Sequence, residues 1–476
     1  MLGKLTCCDP GHRPCVAVNK SAGPFGPSGG LYVCASSRGI NAGREHWYTY
    51  VAMVSVVQHW GMVMKLSRRP WTIWTVVEPR LAYVSLIICW LAFILFFFDR
   101  LKVWISRFDQ FTMSLTDPAC RDSQYDFSMF WSAGKMMAAH NNANIYDPQV
   151  LLQWRSLHLC MSSVPLPWIN LPPALLPGYA VSFLPFKQGL IVWLFVSIIG
   201  AVVLLRLANL SWIVVIAGLL SPAALFCLGK AQLGVIMDAF LVLVLMRSDE
   251  WPWQSGIMLG MLILKPQEAL LAPFVLLAQR NWRAIFMAAS TVIIILLCTV
   301  VVFNISIWKY YWQTGRQVAL HILFTNSSGY KTFGVSVFWM LRSLGASIDT
   351  SLILQGLSFC FSAALVWIIW KRHDVSKLDR VALTVFLSLL ATPYGYTHDM
   401  VGYSVALAFL AERRGWRLGL LDVLFWIWPL LCLVVIIYTG VLLTPVVVGL
   451  AIIRTWLRAG LGVPGFPLSS WRSLPT

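Results

Sequence analysis

Ala284–Phe303, AIFMAASTVIIILLCTVVVF, is an unbroken apolar run long enough to cross the hydrocarbon of a bilayer, and its reading decides the fold. Leu81–Phe98, LAYVSLIICWLAFILFFF, reads the same way. Inside hydrocarbon every backbone N–H and C=O needs a partner within its own segment, so runs of this kind are helices. A closed barrel would instead show strands of about ten residues with alternating polarity. Apolar runs recur along most of the 476 residues, which are 58% hydrophobic and 12% charged, with a mean hydropathy of +0.72. A soluble chain carries about twice that share of charge. The expected fold is an all-α polytopic membrane bundle.

The formal net charge is +17, yet the basic residues sit in short loops between apolar runs and form no stripe that would track a nucleic acid. Cytoplasmic loops collect Lys and Arg, and that rule threads the chain. Lys65, Arg68, Arg69 and Arg80 place the start of the bundle inside, and Leu81–Phe98 crosses outward. Residues 99–187 then form a long external region. Later runs return to Arg206, Arg247, Arg280 with Arg283, Lys371 with Arg372, Arg413 with Arg414, and Arg454 with Arg458. The result is about twelve crossings with both ends inside, several of them short enough to be half-helices meeting at a cavity.

Residues 1–63 differ from the rest: they are rich in Gly, Pro, Ser and Cys and lack both a long apolar run and a signal-peptide pattern. They are expected to be disordered or untranslated, with initiation near Met64, leaving 64–476 as a single transmembrane domain. Cys7, Cys8, Cys15 and Cys34 crowd this segment without metal-ligand spacing. Cys120 and Cys160 share the external region, which permits a disulfide without arguing for one.

The threading leaves four polar apices outside: Tyr125–Phe127, Gly229–Gln232, Lys265–Glu268 and Pro393–Asp399. Lys230 and Lys265 sit against the positive-inside rule, at the edge of hydrocarbon, where a cation asks for an anionic partner. Asp126 opens FSMFWSAGKMMAAH, an expected amphipathic helix with Phe127, Phe130 and Trp131 on one stripe and Lys135 opposite. Its carboxylate can cap that helix, or can accept a proton from an attacking hydroxyl. Lys265, followed by Pro266, Gln267 and Glu268, can snorkel to headgroups or bind phosphate as a point charge. Lys230 with Gln232 has the same form. His398 and Asp399 suit a solvated cap or a phosphate and proton-transfer pair. Asp126, His398 and Asp399 are too scattered to argue for a metal, and no Walker loop, dinucleotide fingerprint or HExxH is present. Pro165–Trp168, Leu171–Pro173 and the broken apolar stretch Ala174–Phe186 read as a re-entrant or interfacial segment that walls a lipid entrance, or as packing.

In order along the chain, YDFSMFWSAGKMM, IYDP, PLPW with LPP, AQLG, GMLILKPQ leading to QRNWRA, FGVSVFWMLRSLGAS and ATPYGYTHDM resemble bacterial membrane glycosyltransferases of family 87, from about residue 80 to about 455. This chain departs at Leu171, where the family favours an aromatic residue, and at Ala231–Leu233, where a GQN-like motif is usual. The resemblance implies a GT-C type fold with its active site on the periplasmic side of the bacterial inner membrane. It implies a polyprenyl-phosphate sugar donor (mannose above other hexoses), a glycan or glycolipid acceptor, inversion, and no cofactor or required metal. Asp126 takes the place of the general base, and Lys265, Gln267, His398, Asp399, Gln232 and Lys230 those of substrate-binding residues. The competing reading is a transporter or flippase of a polyisoprenoid-linked substrate. Against it stand the absence of an internal repeat and the gathering of polar motifs on one side.

Overall fold

The computed structural model describes Val84 and residues 126–139, 145–159, 167–325 and 328–461. The atypical segment 1–63, all of the crossing Leu81–Phe98 except Val84, and Cys120 with Cys160 lie outside the described residues.

Among the described residues the protein is helical throughout, with a single isolated bridge between Gly334 and Tyr396 and no strand. The helices are α1 (Phe127–Ala138), α2 (Pro148–Leu159), α3 (Leu175–Ser182), α4 (Phe186–Leu207), α5 (Trp212–Leu219), α6 (Pro222–Gly229), α7 (Gly234–Arg247), α8 (Pro252–Met261), α9 (Ala272–Ala278) and α10 (Trp282–Phe303). They continue with α11 (Ser306–Tyr310), α12 (Arg316–Thr325), α13 (Ser328–Phe333), α14 (Val337–Ser343), α15 (Ile348–Lys371), α16 (Lys377–Ala391), α17 (Val401–Arg413), α18 (Leu420–Thr439) and α19 (Thr444–Arg458). Many starts are written locally. Ser211, Ser221, Ser336, Ser347, Ser376 and Asn281 accept hydrogen bonds from orphan N–H groups at the first turns of α5, α6, α14, α15, α16 and α10.

Four helices are long and apolar enough to cross a membrane: α4 and α10 with 22 residues each, α15 with 24 and α18 with 20. The pair α5–α6, bent by 53° at its break, makes a fifth if it is one span. Only 11% of the most apolar stretch of α10 is buried inside the protein, so Phe286, Ile293, Ile294, Leu297 and Val301 face outward. Such a face is stable against lipid tails and costly in water. The protein is therefore a membrane protein. Length and composition single out four or five of the crossings expected from the loop charges. The other expected runs fold as shorter helices, among them α7, α8, α9, α16, α17 and α19.

The centre is α7. Its buried residues, Val235 to Leu245 with few gaps, leave it apolar on nearly every side, as a helix inside a bundle should be. Small residues let its neighbours close in. Gly256 and Gly260 of α8 sit directly on α10, where an added Cβ would meet Ala284 O at 2.5 Å from Gly256 and Thr291 Cγ2 at 2.7 Å from Gly260. This is the small-xxx-small spacing of membrane helix pairs.

The expected amphipathic helix after Asp126 is corrected. α1 buries Phe127, Ser128, Met129, Phe130, Trp131, Ser132, Ala133, Gly134, Met136 and Met137, and only Lys135 breaks the pattern before the last residue. Its second face is taken by α3, because Gly134 and Gly178 bring the two backbones together. Trp168 stacks edge-on against Phe130 at 5.1 Å, and Trp131 donates to Leu184 O at 3.0 Å. α3 thus packs on α1, and the Pro172–Ala174 turn sits against α3 and α10.

Candidate active site

Asp126 stands at the N-cap position of α1 but makes no capping bond, which corrects the capping expectation. Its backbone N–H donates to Lys230 O at 3.1 Å, and its Oδ2 accepts from Gln232 Nε2 at 2.7 Å. No hydrogen bond to Oδ1 is formed among the described residues. The carboxylate is held by one oxygen and offers the other. Gln232 reaches it because the chain reverses sharply between α6 and α7: Ala231 has φ of +52°, its carbonyl accepts from Trp193 Nε1 at 3.0 Å, and Gln232 N–H bonds Cys227 O at 3.0 Å. A left-handed Ala costs roughly 1–2 kcal/mol. That strain falls where the resembled family usually carries glycine.

Lys230 is partly buried and lays its ammonium over the Phe333 ring at 5.4 Å. It makes no ion pair among the described residues. Lys265 behaves differently. It is 7% exposed, lies between α8 and α9 at a break reinforced by Pro266, and pairs with Asp399 and with Glu268, the latter at 3.1 Å. Asp399 also accepts from Tyr396 N–H at 3.0 Å. Gln267, half-buried, forms no hydrogen bond among the described residues and stands apart from this network.

His398 Nε2 approaches Asp399 Oδ1 at 3.4 Å, and its ring stacks on Tyr396 at 5.6 Å. Burial pushes the imidazole below its ordinary value, against the pull of Asp399, so His398 is held neutral near pH 7. Burial alone would raise the Asp399 carboxyl, but Lys265 and His398 bring it below the usual carboxylate range. Asp126 and Lys230 also act electrostatically on His398. Gly234, at the start of α7, touches the His398 carbonyl, where any side chain would collide.

The His-Asp loop is stapled to the segment after α13. Val335 N–H bonds Gly395 O at 3.0 Å, Thr397 Oγ1 donates to Phe333 O at 3.0 Å, and Ser336 Oγ donates to Pro393 O at 3.3 Å. Asp126, Lys230, Gln232, Lys265, His398 and Asp399 therefore share one polar neighbourhood.

Sequence reasoning missed Asp238. It lies in the apolar run of α7, is 3% exposed, accepts from Gly402 N–H at 2.8 Å, and acts electrostatically on Glu268. A lone carboxylate inside a span-like run was the signal that could have found it. Asp147 has a local job, since its Oδ1 accepts from Gln149 N–H at 2.9 Å and Val150 N–H at 3.3 Å at the start of α2.

The fold and this site define a class: an integral membrane protein of apolar helices that enclose a carboxylate-rich polar site. Residues 168–393 match the family model of glycosyltransferase family 87, which supports membership of that family. It is an enzyme, a membrane glycosyltransferase. The matched stretch contains Lys230, Gln232, Lys265 and Gln267, while Asp126 precedes it and His398 and Asp399 follow it. No curated protein and no solved structure matches the chain.

Proposed function

We propose that the enzyme transfers a hexose, mannose by the family resemblance, from a polyprenyl-phosphate donor to a glycan or glycolipid acceptor on the periplasmic side of the bacterial inner membrane. The architecture on this reading is GT-C type with about twelve crossings, the shorter helices completing the count. The arrangement of Asp126 carries the proposal: one carboxylate oxygen held by Gln232 at 2.7 Å, the other uncommitted, and the backbone pinned to the residue that supplies the nearby Lys230 ammonium.

The chemistry is a single displacement with inversion. The acceptor hydroxyl oxygen attacks the anomeric carbon, and Asp126 takes its proton. The bond from that carbon to the phosphate oxygen breaks, and its electron pair leaves with the polyprenyl phosphate. Lys230 has no carboxylate to exchange and is the better placed ammonium for the phosphate. His398, neutral, offers an N–H. Lys265 is already balanced by Asp399 and Glu268, so it supports the phosphate from behind that pair or by exchanging one of them. Charge stabilisation of this sort is usually the largest catalytic contribution. No cofactor or metal is needed.

The test is transfer of label from radiolabelled polyprenyl-phosphate sugars in membranes carrying the protein. Asp126→Asn should lower transfer by about 10²–10⁴-fold and leave donor binding intact. Undiminished turnover in that variant would remove Asp126 from the chemistry.

A further inference from the structure

At the far end of the α16–α17 hairpin lies a cavity of about 450 Å³ that the transfer reaction does not use. The His-Asp loop joins the C-terminal end of α16 to the start of α17, whereas this cavity is lined from the opposite ends, by Asp379 of α16 and Arg413 of α17. The thirteen residues of α17 put about 20 Å between the two places.

Arg413, Arg414, Arg417, Arg454 and Arg458 face this cavity, together with two carboxylates, Asp379 and Asp422. Asp379 takes Arg413 at 2.5 Å. Asp422 takes three guanidiniums at once: Arg414 at 3.1 Å, Arg454 at 2.8 Å and Arg458 at 3.4 Å. Arg417 is exposed and makes no ion pair among the described residues. The C-terminal ends of α17 and α19 offset part of the positive excess, each by roughly half a charge at most. The excess that remains is held in a fixed fan, because Asp422 is buried, also accepts from Gly419 N–H at 2.9 Å, and orients the three guanidiniums around itself. A guanidinium has five donors, and Arg458 spends one of them on Asp422, which leaves it others to point at something else.

Apart from Thr455, the remaining lining is apolar: Leu407, Leu410, Phe425 and Ala451. Beside it, Leu450, Ile453 and Leu457 on the outer face of α19 are exposed, as a lipid-facing surface would be. A cationic cradle with an apolar floor, opening beside a lipid-facing helix, fits an amphiphile with an anionic head. Basic pockets between membrane helices on the cytoplasmic side take phospholipid headgroups of this kind.

We propose that this arginine cavity binds the phosphate headgroup of an anionic phospholipid in the leaflet opposite the polar site, with preference for a lipid carrying two phosphates. The guanidiniums of Arg458 and Arg417 grip the phosphate oxygens, and the acyl chains lie along α19. The proposal stands on this end of the molecule alone and survives if the transfer reading fails.

The experiment is native mass spectrometry and thermal melting of the full chain in neutral detergent, titrated with diphosphatidylglycerol, phosphatidylglycerol, phosphatidylcholine or inorganic phosphate. Diphosphatidylglycerol should bind tightest and raise the melting temperature saturably, and phosphatidylcholine should do neither. Arg458→Gln should weaken that binding roughly tenfold or more, the loss expected for a hydrogen-bonded charge pair. Arg417→Gln, which disturbs no ion pair and should fold as wild type, should weaken it by a smaller factor. Equal binding of phosphatidylcholine, or unaltered affinity in both Arg417→Gln and Arg458→Gln, overturns the proposal. So does equal protection by inorganic phosphate, which would make this a site for a free anion.

Discussion

The two ends of the α16–α17 hairpin carry charge in opposite senses. At the loop end, Asp126, Asp238, Glu268 and Asp399 outnumber Lys230 and Lys265, and most of these groups are buried. At the other end, five arginines surround two aspartates, and several of them reach solvent. A buried carboxylate excess fixes its cations in place and leaves a proton acceptor to spare. A half-exposed guanidinium excess leaves donors to spare. One helix pair thus supports a site suited to proton abstraction and a site suited to anion binding, kept apart by a helix length.

The comparison breaks first at Lys265. Lys265→Ala removes the one ammonium that balances Glu268 and Asp399, and stranding buried charge costs about 3–5 kcal/mol. A sharply lower melting temperature in detergent is the expected result, and adding Asp399→Asn should recover part of it. If Lys265→Ala melts with the wild type, the acidic end is not held together by its buried pair. Removing Arg458 from the exposed fan should be far milder, since half-exposed pairs contribute little.

Gln232→Ala comes next. It releases the Oδ2 of Asp126 and loses a hydrogen bond to a charged group, worth about 1.5–3 kcal/mol, so transfer should slow by roughly ten- to a hundredfold. On the proposed mechanism Gln232 positions the base and does not itself react, so kcat should fall while donor KM stays close to wild type. A change confined to KM would assign Gln232 to donor binding.

Acid should separate the two ends further. His398 is held below its ordinary value, so between that folded value and about 6.5 the unfolded chain binds the extra proton. The His398 contribution to stability therefore falls as pH drops through about 6.5, and the Asp399 contribution follows below about 3.9, where its unfolded carboxyl takes up a proton. Arginines stay charged throughout, so the guanidiniums of the basic end add no such slope of their own. Melting followed from pH 7.5 downward should show a weaker slope in His398→Asn, and an identical slope would rule His398 out as its source.

The smallest effect is expected at Ala231→Gly. Glycine adopts φ of +52° without strain, so the change should raise stability by about 1 kcal/mol and leave transfer unaffected. A destabilised variant would mean that the Ala231 methyl, fully buried, packs for more than the strain it carries.

Much of this was legible in order but not in detail. The apices at Asp126, Lys230, Lys265 and His398 could be read from loops that contradict or interrupt apolar runs. Their individual roles could not. Asp126 reads as a helix cap, yet its carboxylate turns to Gln232 because Lys230 O captures its backbone N–H and α6 brings that side chain within reach. The apparent polar side of α1 disappears against α3, since the Gly134–Gly178 contact depends on two residues whose meaning appears only when they touch. Asp238 is invisible as a partner until α7 is surrounded.

By itself the sequence determined that this is a helical membrane protein with basic loops and scattered polar breaks. Those properties are local: hydrocarbon thickness fixes the run length, and each helix satisfies its own backbone. Only tertiary structure decided which charges meet. Gln232 and Asp126 lie 106 positions apart, and Lys265 and Asp399 lie 134 apart. No local rule specifies such pairs, because their strength comes from the low-dielectric surroundings that the packed helices create around them.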